Sequence, residues 1–207
     1  ALDGVVRVVS LAGIGMPTFW LGLMLVMIVS HRLGLLPATG RLPVFTDLPR
    51  ITGFHLIDSL IARGFKHVTV LDISQAALEA ARARLGECAS HVEWVVADVT
   101  KWSPAQTFDI WHDRAVFHFL TQAEDRQRYV ERVRQAVRPG GHVIVATFAD
   151  DGPLQCSGLD VVRYNPDSLH AQFGSEFTLL NSTREAHQTP FGTTQKFIYC
   201  YCRTYQA

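Results

Sequence analysis

The segment HVTVLDIS (67–74) decides the fold. It is an apolar run that ends in an acidic residue, Asp72, and this pattern is typical of a buried parallel strand. The segment behind it, QAALEAARARLG (75–86), is rich in alanine, is preceded by Ser74 as an N-cap and ends at Gly86. A strand that runs directly into such a helix predicts one βα unit of a parallel sheet.

The alternation of strand and helix continues along the chain on both sides of this unit. Leu56, Ile57, Leu60 and Ile61 form the apolar stripe of a short helix that ends at Gly64. The further strand patterns are HVEWVVADV (91–99), FDIWH (108–112), HVIVATF (142–148), EFTLLNSTRE (176–185) and QKFIYCYCR (195–203). A helix over 122–137, with a capping box of Thr121 and Glu124, separates two of them. The sequence predicts an α/β fold with a parallel sheet, helices on both faces and an antiparallel hairpin at one edge.

Charge and cysteine content exclude several classes of protein. The 207 residues carry 19 basic and 19 acidic side chains, so a strongly basic surface for nucleic acid is not expected. The four cysteines, Cys88, Cys156, Cys200 and Cys202, have neither the spacing of a zinc site nor that of a disulfide framework. No metal site is predicted, and the last two cysteines are expected to be packed, reduced thiols.

The N-terminal part of the chain has a different composition. VVSLAGIGMPTFWLGLMLVMIVS (8–30) contains no charged residue and is long enough to cross a bilayer as a helix. It predicts one apolar helix of the transmembrane type, and the alternative is a helix buried in a globular core. Gly13-Ile14-Gly15 within it is not interpreted as a dinucleotide loop, because the next acidic residue, Asp47, is too far away.

A family resemblance supports the membrane interpretation. MPTFWLGLMLVMIVSHRLGLLPATGR (16–41), continued by ITGFHLIDSLIARG (51–64), resembles the permease subunit of bacterial oligopeptide and dipeptide ABC transporters. The resemblance implies only one of the several spans of such a permease. Because one span cannot line a substrate pathway, transport by this chain alone is not expected.

Acidic residues stand at the ends of three strands in the second part of the chain. Asp72 and Asp98 end consecutive strands, and His112-Asp113 ends the next. Ligands of open α/β sheets bind beyond the carboxyl ends of the strands, and two carboxylates there suit the hydroxyl and amino groups of a nucleoside. The alternative is that each acid only caps the following helix.

The ordered set of these segments resembles the class I S-adenosylmethionine-dependent methyltransferases over about residues 65–205. The matching pieces are VTVLDIS (68–74), VVADVT (95–100), FDIWHDRAVFHFL (108–120) and AVRPGGHVIVATF (136–148). The resemblance implies S-adenosylmethionine as cofactor, methyl transfer as the reaction and a Rossmann-like sheet. The residues that it implies for cofactor binding are Asp72, Ile73, Asp98, Val99, His112 and Asp113.

The catalytic residues are not fixed by the resemblance. The candidates by location are His112, Asp113 and His118, and the alternative for His118, which lies between two phenylalanines, is a packing role. Methyl transfer from a sulfonium depends on position and desolvation more than on an acid or base.

The sequence departs from this family at its start. The family begins with a strand and a glycine-rich loop, whereas PRITGF (49–54) stands before the helix at Leu56 with a single glycine. We therefore expect a methyltransferase sheet that lacks its first strand and loop and that binds its cofactor weakly. The hypothesis is a fusion of a permease-like segment (1–50), a junction helix (51–64) and a methyltransferase-like domain (65–207).

Partners and location follow from these two parts. The methyl acceptor is a small molecule or a protein of unknown identity, and nucleic acid is not expected. Residues 8–30 predict membrane association. Because the cofactor is cytoplasmic and more arginines follow the span than precede it, the methyltransferase part is predicted to be cytoplasmic. The alternative functions are a transport fragment and a non-catalytic fusion remnant.

Overall fold

The computed structural model describes residues 7–12, 25–26, 56–188 and 194–205. The main sheet contains β1 (Arg7–Ala12), β2 (Leu25–Val26), β3 (His67–Asp72), β4 (Val92–Val96), β5 (Phe108–Arg114), β6 (Val137–Phe148), β9 (Phe177–Gln188) and β10 (Thr194–Thr204). A separate two-stranded ribbon consists of β7 (Gln155–Cys156) and β8 (Leu159–Asp160). The helices are α1 (Leu56–Ala62), α2 (Gln75–Leu85), α3 (Ala123–Ala136) and α4 (Pro166–Phe173).

The strand order in the sheet is β4-β3-β2-β1-β5-β6-β10-β9. Strands β1, β3, β4, β5 and β6 are parallel, and β10 runs antiparallel to both β6 and β9. The predicted α/β fold and the antiparallel hairpin at the edge are therefore confirmed. The chain builds the sheet outwards from β1 in one direction and then returns to the other side of β1, which creates a topological switch point at that strand.

Strand β1 corrects the expectation that the first strand is missing. It pairs in parallel with β3 over its whole length, from Arg7 opposite His67 to Ala12 opposite Asp72, and it pairs with β5 on its other side. The central position is thus filled by residues from the N-terminal apolar stretch. Val8 and Val9 have good strand propensity and Leu11 is apolar, so this segment is as suitable for a buried parallel strand as for the start of an apolar helix.

The predicted transmembrane helix over residues 8–30 is also wrong where the structure describes that stretch. Residues 7–12 are strand, and the two residues of β2 pair antiparallel with both β1 and β3. Among the described residues, none of the helices has the length and apolarity needed to cross a membrane. Gly13-Ile14-Gly15, the stretch 31–55 and most of the permease-like segment lie outside the described residues.

The helix boundaries follow local capping chemistry. The Ser74 hydroxyl accepts the N–H of Ala77 at 3.3 Å at the start of α2, and Gly86 ends that helix with a positive φ of 58°, as the sequence predicts. The capping box predicted for α3 is wrong. The N-cap is Gln122, and its side chain makes no capping hydrogen bond.

The RPGG residues predicted as a break before the last parallel strand belong to that strand, with a register shift opposite β5. Strand β6 begins at Val137, directly after α3, and includes the residues RPGG. Gly140 has a φ of 72°, and a Cβ on Gly141 would lie only 2.9 Å from the carbonyl oxygen of Arg138. Glycine fits both the positive φ at position 140 and the close backbone contact at position 141. The strand continues through these residues and begins five residues before its apolar pattern (142–148).

Aromatic side chains fill the core between the sheet and helices α3 and α4. The rings of Phe117 and Tyr129 lie 4.9 Å apart, and Phe173 of α4 is 5.6 Å from Phe117. The largest fully buried side chains are Trp111, Tyr129, Phe108, Phe117, Phe148 and Phe177. Rings of this size dominate core energetics, and here they fix the position of the segment that follows β5.

The central position of β1 gives a testable prediction. Because its backbone is hydrogen-bonded to strands on both sides, its amides should exchange with solvent as slowly as those of β5 and more slowly than those of the edge strand β9. Hydrogen-exchange mass spectrometry on the full chain, with a peptide that covers residues 7–12, measures this. Exchange of that peptide at the rate of an unstructured chain would show that β1 does not belong to the sheet.

Candidate functional site

The carboxyl ends of three parallel strands meet at the switch point. Asp72, the last residue of β3, lies opposite Ala12 of β1 and opposite Val96 of β4. On the other side of β1, Asp113 of β5 lies opposite Leu11. Because neighbouring strands are about 4.8 Å apart, the backbones that carry the two aspartates flank the end of β1 at about 10 Å from each other.

Asp72 is a buried carboxyl with one oxygen in use. Its Oδ1 accepts the N–H of Ser74 at 2.7 Å, whereas its Oδ2 is buried and has no hydrogen-bond partner among the described residues. Burial raises the pKa of Asp72 to about 8, against the lowering effect of the backbone N–H groups of Ser74 and Ile73. A buried acceptor without a partner is costly, so this oxygen is suited to receive a hydrogen-bond donor from a ligand.

Two exposed apolar side chains lie beside Asp72. Ile73, directly after the buried strand β3, is 45% exposed, and Val96, at the end of the edge strand β4, is 55% exposed. Large apolar residues that remain exposed at such a place suit contact with the face of a ligand. An apolar surface beside an unused acceptor oxygen matches a nucleoside, which has a flat ring and a sugar with hydroxyl groups.

The carboxylate of Asp98 is already used by its own loop. Its Oδ1 accepts the N–H and the hydroxyl of Thr100 at 2.9 and 2.7 Å, and its Oδ2 lies 3.0 Å from Nζ of Lys101. Burial raises the pKa of Asp98, but these hydrogen bonds and the lysine charge outweigh burial and lower it. Val99 is buried beside it. The geometry is that of a turn-forming aspartate, and the role of Asp98 and Val99 towards the cofactor stays a prediction.

Asp113 takes part in a buried hydrogen-bond chain. The Trp111 indole N–H donates to the Tyr129 hydroxyl at 2.8 Å, and that hydroxyl donates to Oδ2 of Asp113 at 2.5 Å. Oδ1 of Asp113 accepts the N–H of Val116 at 3.1 Å. Burial raises the pKa of Asp113 to about 7, although the bond from Tyr129 lowers it. Both oxygens therefore hold the segment after β5 against α3, and neither is free for a ligand.

The two candidate histidines are buried and neutral. Burial, with a contribution from the Arg114 charge, lowers the pKa of both His112 and His118 to about 3. Nδ1 of His118 accepts the backbone N–H of Phe148 at 3.2 Å, which assigns the ring proton to Nε2. The ring lies between Phe119 and Phe148, with centroids at 4.5 and 4.6 Å. These contacts support the packing alternative for His118.

The remaining polar candidates give no further site. Cys200 and Cys202 are buried, free thiols, and burial raises the pKa of each to about 12, as expected for packed cysteines. Within residues 56–188 and 194–205, no three histidine, cysteine or acidic side chains gather as metal ligands do.

Sequence reasoning missed the groups that lie across the sheet from Asp113. Arg114, Tyr199 and Glu185 come from three separate strands, and the hydroxyl of Tyr199 accepts a hydrogen bond from Nε of Arg114 at 3.0 Å. Only the strand register brings them together, because they are up to 85 residues apart. The one signal in the sequence is that Arg114 directly follows the acidic end of β5.

Comparison with known proteins agrees with this geometry. Residues 52–141 match the family model described as a methyltransferase domain. Nodulation protein S of Rhizobium fredii is 31% identical over 85 residues, which are 41% of this chain and 48% of that protein. The solved N-methyltransferase NodS of Bradyrhizobium japonicum WM9 in complex with S-adenosyl-L-homocysteine aligns with a TM-score of 0.58 and 17% identity, over 73% of this chain and 74% of that chain.

A second kind of relative matches a shorter part. The di/tripeptide transport system permease protein DppB of Pseudomonas aeruginosa is 50% identical over 60 residues, which are 29% of this chain and 18% of that protein. The chain thus spans about half of its nodulation relative and less than a fifth of its permease relative. The solved neighbours share the fold alone, which is a methyltransferase-like α/β fold with a mixed sheet.

The buried chain around Tyr129 gives a testable prediction. In Tyr129→Phe, Asp113 and Trp111 each lose a buried partner, so the free energy of unfolding should fall by about 1–3 kcal/mol. A carboxyl whose pKa is higher in the folded than in the unfolded state contributes less stability as the pH rises through its folded pKa. The Tyr129 hydroxyl lowers the pKa of Asp113, so its removal raises that pKa further. The loss should therefore be larger at pH 8, where the ionised carboxylate is held without the hydroxyl, than at pH 5.5.

Urea denaturation of both proteins at the two pH values measures this difference. Tyr205→Phe is the matched control, because Tyr205 is 72% exposed and should change stability by less than about 0.5 kcal/mol. Equal stability of Tyr129→Phe and the parent chain at both pH values would contradict the assigned hydrogen-bond chain.

Proposed function

We propose that this chain is an S-adenosylmethionine-dependent methyltransferase. The observation that carries the proposal is Asp72, whose buried Oδ2 has no partner among the described residues and lies at the switch point of a methyltransferase-type sheet. The methyltransferase-domain match over residues 52–141 and the solved structural neighbours support the same conclusion. The solved neighbour that contains S-adenosyl-L-homocysteine supports S-adenosylmethionine as the cofactor.

The residues of this edge can hold the cofactor in one arrangement. Asp72 would accept the ribose hydroxyls, because an ionised carboxylate offers acceptor sites to both. Ile73 and Val96 would contact the adenine ring from their exposed positions. Asp98 and Val99 are proposed at the far side of that ring, as the resemblance implies. His112 and Asp113, which are both buried, would lie near the methionine end.

In this proposal the chain aligns the cofactor with the acceptor and transfers no proton. The sulfonium of the bound cofactor supplies an activated methyl group, and an in-line acceptor needs alignment and exclusion of water. His112 and His118 are neutral and buried, and both oxygens of Asp113 are occupied. Asp113 or His118 would have to break hydrogen bonds that hold the core to act as a general base, and His112 is buried. We therefore assign all three to positioning the segment after β5.

A second proposal concerns the origin of the N-terminal segment. We propose that the residues matched by the permeases are those of the N-terminal part, 1–64, and that this part was joined to a methyltransferase-like domain over 65–207. The 50% identity over 60 residues is higher than the 31% identity to the nodulation relative, which supports two separate ancestries. In this proposal a stretch of permease-like sequence supplies the central strand β1 of a methyltransferase sheet.

Sequencing the locus in an independent isolate tests this origin. Single reads that span codons 50–65 and preserve the reading frame are the expected result. A separate coding sequence, with a glycine-rich loop directly upstream of the codon for Leu56, would contradict the fusion.

The cellular location of the methyltransferase part and its methyl acceptor are also proposals. We propose that the methyltransferase part works in the cytoplasm, where its cofactor is made, and that the acceptor is a small molecule or a protein. The balance of 19 basic and 19 acidic residues argues against nucleic acid as the acceptor.

The cofactor proposal is tested by titration calorimetry with S-adenosyl-L-homocysteine. Because ribose hydroxyls donate best to an ionised carboxylate, and the pKa of Asp72 is about 8, affinity should rise about tenfold between pH 6.5 and pH 8.5. Asp72→Asn should weaken binding by about tenfold or more, since hydrogen bonds to a charged group are worth about 1.5–3 kcal/mol. It should also abolish the pH dependence.

Asp160→Asn is the matched control, because Asp160 is an exposed carboxylate on the β7–β8 ribbon that bonds only to Gln155 among the described residues. Its affinity and pH dependence should equal those of the parent chain. Absence of heat at millimolar S-adenosyl-L-homocysteine, with a folded protein by circular dichroism, would refute the proposed function.

A further inference from the structure

Three polar side chains gather on one face of the sheet, at the carboxyl end of β5 and β6. Arg114 lies opposite Ala146 of β6, and Ala146 lies opposite Tyr199 of β10. Tyr199 in turn lies opposite Thr183 of β9, two residues before Glu185. Directly paired residues point to the same face of a sheet. The small side chain of Ala146 leaves the space through which the arginine reaches the tyrosine.

The cluster is held together by the tyrosine hydroxyl. It accepts a hydrogen bond from Nε of Arg114 at 3.0 Å and interacts on its other side with the carboxylate of Glu185. The guanidinium carbon of Arg114 lies 4.6 Å from the ring centroid of Phe197. The arginine is therefore fixed by a hydrogen bond through Nε and by stacking, which is a rigid way to present its two terminal nitrogens.

The outer polar atoms of the cluster are the terminal nitrogens of Arg114 and Oε2 of Glu185. Among the described residues, the side-chain hydrogen bond of Arg114 uses Nε, and the charges of Arg114 and Glu185 attract each other. Oε2 of Glu185 is buried without a hydrogen-bond partner there. All three side chains of the cluster are half-buried. The neighbouring Arg184 is different, because it is already paired with Asp150 and Asp151. The cluster thus offers a donor pair and an acceptor on either side of one hydroxyl.

The position of the cluster relates it to the reacting end of the proposed cofactor site. Arg114 directly follows Asp113, which flanks the end of β1, whereas Asp72 and the exposed Ile73 lie on the opposite side of that strand. A cofactor whose nucleoside end sits at Asp72 would extend towards β5 with its methionine end. The cluster lies one strand further in that direction, where an acceptor would approach.

We propose that Arg114, Tyr199 and Glu185 form the recognition site for the methyl acceptor, and that the acceptor is a small molecule with a carboxylate and an amine. This inference rests on the proposed methyltransferase function. A carboxylate is the group that the planar fork of an arginine binds best, and an ammonium group would satisfy the unpartnered carboxylate oxygen. A buried carboxylate oxygen without a hydrogen-bond partner is costly when the site is empty. A ligand with an ammonium and a carboxylate would supply a donor to that oxygen and an acceptor to the terminal nitrogens of Arg114.

Titration calorimetry on the full chain, saturated with S-adenosyl-L-homocysteine, tests the site. The probes are glycine, β-alanine and 4-aminobutanoate, which vary the distance between the two charges, together with propylamine and propionate, which carry one charge each. At least one amino acid should bind about tenfold more tightly than either single-charge probe.

The variants separate the two ends of the site. Arg114→Gln and Glu185→Gln should each weaken the binding of that amino acid by about tenfold or more. Only Arg114→Gln should weaken the binding of propionate. Both should bind S-adenosyl-L-homocysteine as the parent chain does. Arg184→Gln is the matched control, because it removes a neighbouring arginine whose partners are exposed aspartates, and it should change neither affinity.

The titrations distinguish a missing acceptor site from a missing cofactor site. Binding of S-adenosyl-L-homocysteine without binding of any amino acid probe, or with equal affinity in all variants, would overturn the acceptor site alone. If S-adenosyl-L-homocysteine does not bind, the proposed function fails, and the same titrations without it decide whether the cluster binds amino acids on its own.

Discussion

The structure depends on the hydrogen-bond ladder of one six-residue strand. β1 joins β3 to β5, and without it the sheet would divide into two parts, each with a long unpaired edge. Exposed edges of parallel strands carry unsatisfied backbone groups and favour aggregation. The ladder also creates the switch point, because Asp72 and Asp113 are brought to the same edge only when a strand stands between them.

Burial decides what each aspartate at this edge can do. Asp72, Asp98 and Asp113 look alike in the sequence, since each follows or ends an apolar strand. Asp98 is held by Thr100 and Lys101 and has a lowered pKa, whereas Asp113 is held by Tyr129 and Val116 inside the core. Only Asp72 combines complete burial with an oxygen that has no partner among the described residues. The chemical capacity of a carboxylate therefore lies in its surroundings rather than in its position at a strand end.

Much of the fold could be predicted because it follows local rules. The apolar run ending at Asp72, the cap at Ser74 and the glycine at 86 are local features with one physical reading. The error over residues 8–12 and 25–26, which are strand and not helix, has an equally physical cause. An uncharged apolar segment satisfies the requirements of a lipid-exposed helix and of a central parallel strand alike, because both are surrounded by apolar groups on all sides.

The sequence by itself determined the strand and helix pattern over residues 56–148, the hairpin at the edge and the set of acidic strand ends. The tertiary structure alone decided that Arg7–Ala12 is the central strand, which carboxyl oxygen is free, and that Arg114, Tyr199 and Glu185 meet. The reason is the distance along the chain over which each kind of interaction acts. Periodicity and capping act within one turn or one strand, whereas strand register and burial arise from pairing between residues that are tens of positions apart.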